Sequence, residues 1–136
     1  MTKAIVTGTF TVLGSFVIKF LGGADILLKV TCLMIILDYV TGVTKGYIDR
    51  DLDSRKGTIG ILKKMMYIVA IAMCVGLDGI THLSEAGLSF RAIILLYITG
   101  TEGISILENL ESMGIKMPGR IHAVLRKIKD EEPKWF

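Results

Sequence analysis

Two carboxylates sit where water should be scarce. Asp38 interrupts the apolar run MIILDYVTGV (34–43), and Glu102 lies in TGTEGIS (99–105). An ionised carboxylate away from water needs a cation, donors or a proton, because the unpaired charge costs several kcal/mol or is neutralised. Lys63 and Lys64 open another apolar stretch and can supply that cation by reaching inward from the same end. On a helix, Asp38, Gly42 and Gly46 share one face at steps of four. Small residues at that spacing admit a neighbouring backbone, so Asp38 is expected to face protein rather than lipid. Gly100 and Gly103 flank Glu102 in the same manner. The chemistry these residues predict is ion pairing that holds helices together; a direct role in a water or ion path is the alternative.

Other groupings fall short of catalysis or metal binding. Asp49, Asp51, Asp53 and Ser54 mimic the start of a calcium loop, but the further oxygen ligands and the terminal bidentate Glu are missing. Ser54 or Thr58 is expected to cap the helix that follows. Gly57 and Gly60 lack the spacing of a phosphate-binding loop. Cys32 and Cys74 lie in separate apolar stretches without metal-ligand spacing, and read as membrane-buried thiols. His82 and His122 are far apart in topology. No catalytic residue, cofactor or metal is expected, and the chain does not read as an enzyme.

The elements that carry these residues are membrane helices. Of 136 residues, 51% are hydrophobic, and 15 glycines sit largely inside apolar runs against two prolines. Mean hydropathy is +0.59, high for a chain whose surface must meet water. Four segments approach the ~20 residues that cross a bilayer core: 4–22, 26–48, 61–80 and 88–110. The first is the least regular. Thr7, Thr11, Ser15 and Lys19 form a polar stripe opposite an apolar face, which fits a tilted span, an interfacial helix or a helix lining a watery opening. All Lys and Arg residues except Lys19, Lys29 and Arg91 fall on one side of a four-span arrangement. That bias predicts a cytoplasmic 49–60 connection and a cytoplasmic C-terminus.

The predicted fold is therefore an all-α integral membrane protein. It has three to four transmembrane helices over residues 1–112 and a short amphipathic cytoplasmic helix in the basic tail, 113–136. In that tail Ile121, Val124, Leu125 and Ile128 share one helical face, with Arg120, Arg126, Lys127 and Lys129 largely on the other. The pattern fits a helix lying on the anionic inner leaflet, or one packed on the cytoplasmic connection. Nucleic acid is a poor partner, since the basic residues are few, acids follow at 130–132, and no aromatic platform is present.

With the spans placed, two blocks gain meaning. LDYVTGVTKGYIDRDLDSRKGTIGILKK has an intramembrane Asp before Thr-Gly, a short charged connection with a Ser, a Gly-x-x-Gly step and basic residues opening the next span. EGISILENLESMGIKMPGRI has a Glu, an Ile-Leu-Glu-Asn run, a Gly and a Pro, leading to a basic tail. In this order they resemble the toxin-secretion/phage-lysis holins over roughly residues 30–128. The resemblance implies a phage- or prophage-encoded protein of the bacterial cytoplasmic membrane that forms homo-oligomers among membrane lipids. It also implies lesions that give an endolysin access to the wall, with toxin or protein release in some relatives. An antiholin is a further possible partner. From the residues alone, a small ion-coupled transporter centred on Asp38 and an antiholin or membrane scaffold stay open as alternatives.

Overall fold

The computed structural model describes residues 2–51, 53–82, 85, 87 and 89–130, and among these the regular structure is helical. The order is α1 (Thr2–Phe20), α2 (Ile26–Ile48), α3 (Ser54–Thr81), α4 (Phe90–Ser112) and α5 (Gly119–Asp130). Three of them, α2, α4 and the Gly57–Thr81 part of α3, are long and apolar enough to cross a membrane, while Val6–Phe20 forms a shorter apolar helix. Hydropathy alone places α2 between the same residues. The third helix begins seven residues earlier than expected, because the charged 54–60 stretch is wound into it.

Local chemistry explains the ends. Asp25 caps α2 by accepting from the Leu28 amide, and Ser89 caps α4 by accepting from Ala92. The α3 cap corrects the sequence expectation. Asp53 accepts from the Arg55 amide, while Ser54 already lies within the helix and receives the Thr58 hydroxyl on its carbonyl. A carboxylate does the job better here, as it also complements the positive end of the helix dipole.

Helix α4 is the axis of the bundle, with α2, α3 and α5 all packed against it. Leu95 and Ile98 are wholly buried on α4, and Leu21, Leu28 and Ile71 close over them. Between α2 and α4 the Thr31 and Thr99 hydroxyls meet at 2.9 Å, and Thr31 also bonds the Leu27 carbonyl one turn back. A hydroxyl pair of this kind satisfies both groups without water, as a membrane interior requires. Much of the remaining apolar surface is exposed, including Phe10, Ile36, Val40, Met66, Val69 and Ile80. A surface so apolar suits lipid or other chains rather than water.

The tail helix has a protein partner that its sequence pattern does not name, helix α4. Helix α5 folds back antiparallel onto α4, with the Leu125 side chain over Gly103 and His122 Nε2 2.7 Å from Glu111 Oε1. A Cβ at Gly103 would stand 3.1 Å from both Leu125 methyl carbons, so glycine is what lets the two helices close.

Candidate intramembrane polar centre

Asp38, Lys64 and Glu102 each stand ten residues from the helix end nearest the 49–53 connection, about 15 Å along the axis. The register of α2 and α3 on α4 brings them to one level. Lys64 Nζ donates to Asp38 Oδ2 at 2.8 Å and to Glu102 Oε2. The side chains are only 17% (Lys64), 15% (Asp38) and 5% (Glu102) exposed, so the charges have been withdrawn from solvent and depend on one another.

The remaining carboxylate oxygens are also met. Tyr67, one turn after Lys64, donates its hydroxyl to Glu102 Oε1 at 2.8 Å. Asn109 donates its amide to Asp38 Oδ1 at 3.2 Å and to the Thr41 hydroxyl at 3.1 Å. Each of the four oxygens therefore receives one donor. Two neutral donors supplement one ammonium, so the centre holds a formal charge of minus one without an orphaned oxygen, the condition for tolerating buried charge.

Lys63, weighed equally with Lys64 from sequence, is exposed and takes no part in this network. The two lysines are rotated by about 100° on α3, and α4 decides which one faces in. Gly42 lies opposite Asn109, whose amide nitrogen would be 3.6 Å from a Cβ there. Gly46 lines the open cleft between α2 and α3 instead. Gly100 and Gly103 are buried on α4, the latter under α5. Arg120, Arg126 and Lys127 are exposed on α5, whereas the Lys129 side chain lies outside the described residues.

A model of the bacteriophage holin family matches residues 15–130, which include every member of this centre. The chain belongs to the bacteriophage holin family. The chain is 34% identical to a probable holin of Bacillus phage phi105 over 93 residues, covering 65% of this chain and 67% of that protein. It is also 34% identical over 120 residues to an uncharacterized 14.9 kDa protein in the nagH 3′ region of Clostridium perfringens, covering 88% and 89% of the two chains. A protein of Halalkalibacterium halodurans is 31% identical over 137 residues, with 97% and 99% covered. No solved structure matches the chain significantly.

This holin-family chain carries a second polar assembly at the opposite end of the bundle, which the sequence reading missed. Arg91 Nε donates to the Leu21 carbonyl at 2.7 Å, Nη2 donates to the Gly23 carbonyl at 2.9 Å, and Nη1 lies 2.5 Å from Asp25 Oδ2. The guanidinium thus clasps the α1–α2 link, whose Gly22 and Gly23 take φ of +83° and +100°. Asp78 at the end of α3 accepts from the Ser89 hydroxyl and from the Phe90 and Arg91 amides. The Arg91 hydrogen bond, then the Leu28 amide, hold the Asp25 carboxyl below its ordinary range. The available signal was that Arg91 and Asp25 are charged residues beside span ends on the sparsely charged side. Tyr67 and Asn109 carried a fainter one: each recurs at a helical step, three from Lys64 and seven from Glu102.

Proposed function

We propose that the protein oligomerises in the bacterial cytoplasmic membrane and opens lesions that release or activate an endolysin, with its C-terminus in the cytoplasm. Membership of the bacteriophage holin family carries this reading. The centre on Lys64 supports it mechanically: a bundle joined through one shared ammonium has alternative partners for each carboxylate if neighbouring copies come close. Asp38, Lys64 and Glu102 then act as the tie that sets when the helices can rearrange, and the exposed Arg120, Arg126 and Lys127 of α5 hold the assembly on the inner leaflet.

The test is solute release. Purified protein in anionic liposomes loaded with a large dextran and a small dye should release both. Selective passage of a small cation coupled to a gradient would instead mark a transporter. Retention of all solutes at densities that oligomerise the protein would mark a scaffold or antiholin.

A further inference from the structure

Every side chain of α1 from Val6 to Phe20 is exposed, and among the described residues no other helix packs extensively along it. Its C-terminal end is nevertheless fixed, since Leu21 is buried in the core and Arg91 clasps the backbone at Leu21 and Gly23. Beside the bundle axis, α2 and α3 meet α4 but leave a groove between themselves. Cys32, Ile36, Tyr39, Ile61, Met65 and Ile68 line its apolar part, of about 630 Å³. Towards the 49–53 connection it continues as a cleft of about 320 Å³, walled by Gly42, Gly46, Gly57 and Gly60.

We infer that this groove receives α1 of a second copy of the chain. Four observations point to that occupant. Length fits, since the groove runs from Cys32 to Asp49 along α2, about 25 Å, and the 19 residues of α1 extend about 28 Å. Surface fits as well. Gly8, Thr11 and Ser15 give α1 a small face, and both hydroxyls are already spent on carbonyls one turn back, so the face can enter an apolar groove without unpaired donors. The glycines leave room: no described residue lies within 4 Å of a Cβ at Gly57 or Gly60, and helix glycines cost stability that is repaid where another backbone approaches. Charge fits too, for the mouth holds Asp49 and Asp53 against Lys45, and the sequence puts Lys3 in the first turn of α1.

No described residue of α1 lines either part of the groove in its own chain, so the contact runs from one copy to the next. Each copy donates one helix and offers one groove. Such a contact closes at two copies where the exchange is reciprocal and otherwise extends into rings or open arrays. The inference rests on the reading that the protein self-assembles in the membrane.

Antiparallel alignment of α1 with α2 sets Ser15 near the level of Cys32. One tagged copy carries Ser15→Cys with Cys32→Ser and Cys74→Ser; a second, untagged copy keeps Cys32 and carries Cys74→Ser. Oxidation in membranes containing both should yield a disulfide-linked heterodimer. Leu13→Cys, on the far side of α1, should give at least five-fold less in place of Ser15→Cys. Gly60→Leu in the untagged copy, which meets open space within its own chain, should abolish the link while insertion is unchanged. Equal linking from Ser15 and Leu13 would mean lipid-borne collisions and overturn the inference. So would an absent heterodimer, or a link formed only within one chain carrying both cysteines. If amine crosslinking still gives ladders when the disulfide is absent, the interface is wrong and self-assembly stands; if neither appears, self-assembly fails as well.

Discussion

Lys64 Nζ lies 2.8 Å from Asp38 Oδ2 and bonds Glu102 Oε2 as well, so one ammonium on α3 joins carboxylates on α2 and α4. Because the lysine is shared, the three positions are not equivalent. Removing Lys64 leaves two carboxylates facing each other. Removing either acid leaves the other ion pair standing.

That asymmetry sets the first expectation. Lys64→Leu should destabilise the bundle by roughly 3–5 kcal/mol, the usual cost of stripping one partner from a buried charge network. Asp38→Asn keeps an acceptor for Lys64 and a bond to Asn109, and should cost about 1 kcal/mol. Thermal unfolding in detergent compares them; a larger loss for Asp38→Asn than for Lys64→Leu would contradict the shared-lysine geometry. A simple exchange, Asp38→Lys with Lys64→Asp, places the new Asp beside Glu102 and should rescue little. Adding Glu102→Gln should rescue more, although couplings within such a cluster are not additive.

At Gly103 the space for a side chain is taken by Leu125. Gly103→Val should push α5 off α4, whereas Gly103→Val with Leu125→Ala should let it return. Labelling of a cysteine at His122, which is largely covered beside Glu111, reports the release. Unchanged accessibility in the single variant would show that α5 does not depend on this contact.

The clasp at the opposite end should respond to acid. Asp25 has its carboxyl pKa held below the ordinary 3.8. A lowered folded-state value means the Arg91–Asp25 contribution is complete above the ordinary carboxylate range and is lost as pH falls through the lowered value. Hydrogen exchange across residues 21–25 should therefore be slow near neutrality and accelerate only in strong acid. Asp25→Asn should remove most of that pH dependence. Gly22→Ala should loosen the link at every pH, because a Cβ would meet Arg91 Nε at 2.6 Å and the backbone has φ of +83°.

How much of this was legible beforehand depends on range. Hydropathy fixes α2 because nothing but its own sequence sets its ends. The charge bias narrows the partner of Asp38 to two adjacent lysines, but only the position of α4 separates Lys64 from Lys63. Tyr67 and Asn109 gave only their helical spacing from Lys64 and Glu102 as a signal, since a tyrosine or asparagine on a helix is ordinary until its partner is placed. Helix α5 was legible as amphipathic, but its amphipathic face fits lipid and protein alike. The fit of Leu125 into Gly103 depends on how the 113–118 turn reverses the chain, which periodicity does not encode. Arg91 was passed over because a basic residue at a span end normally meets water or headgroups.

For orientation, single cysteines at Ser54 and Lys127 in a background without Cys32 and Cys74 should resist a membrane-impermeant maleimide in intact cells. Both should react in inverted vesicles. Reaction at either position from outside, before any lesion forms, would reverse the proposed topology.

The most direct test of the central claim is the time of lysis in bacteria that co-express a cytoplasmic endolysin with either the parent chain or Lys64→Leu. Immunoblots of membranes must show equal insertion. The polar centre is proposed to tie α2, α3 and α4 and so set when lesions form. Lys64→Leu should therefore abolish lysis or shift its onset by at least a factor of two, while Lys63→Leu leaves the onset unchanged. Lysis on the parent schedule by an equally inserted Lys64→Leu protein would contradict the account.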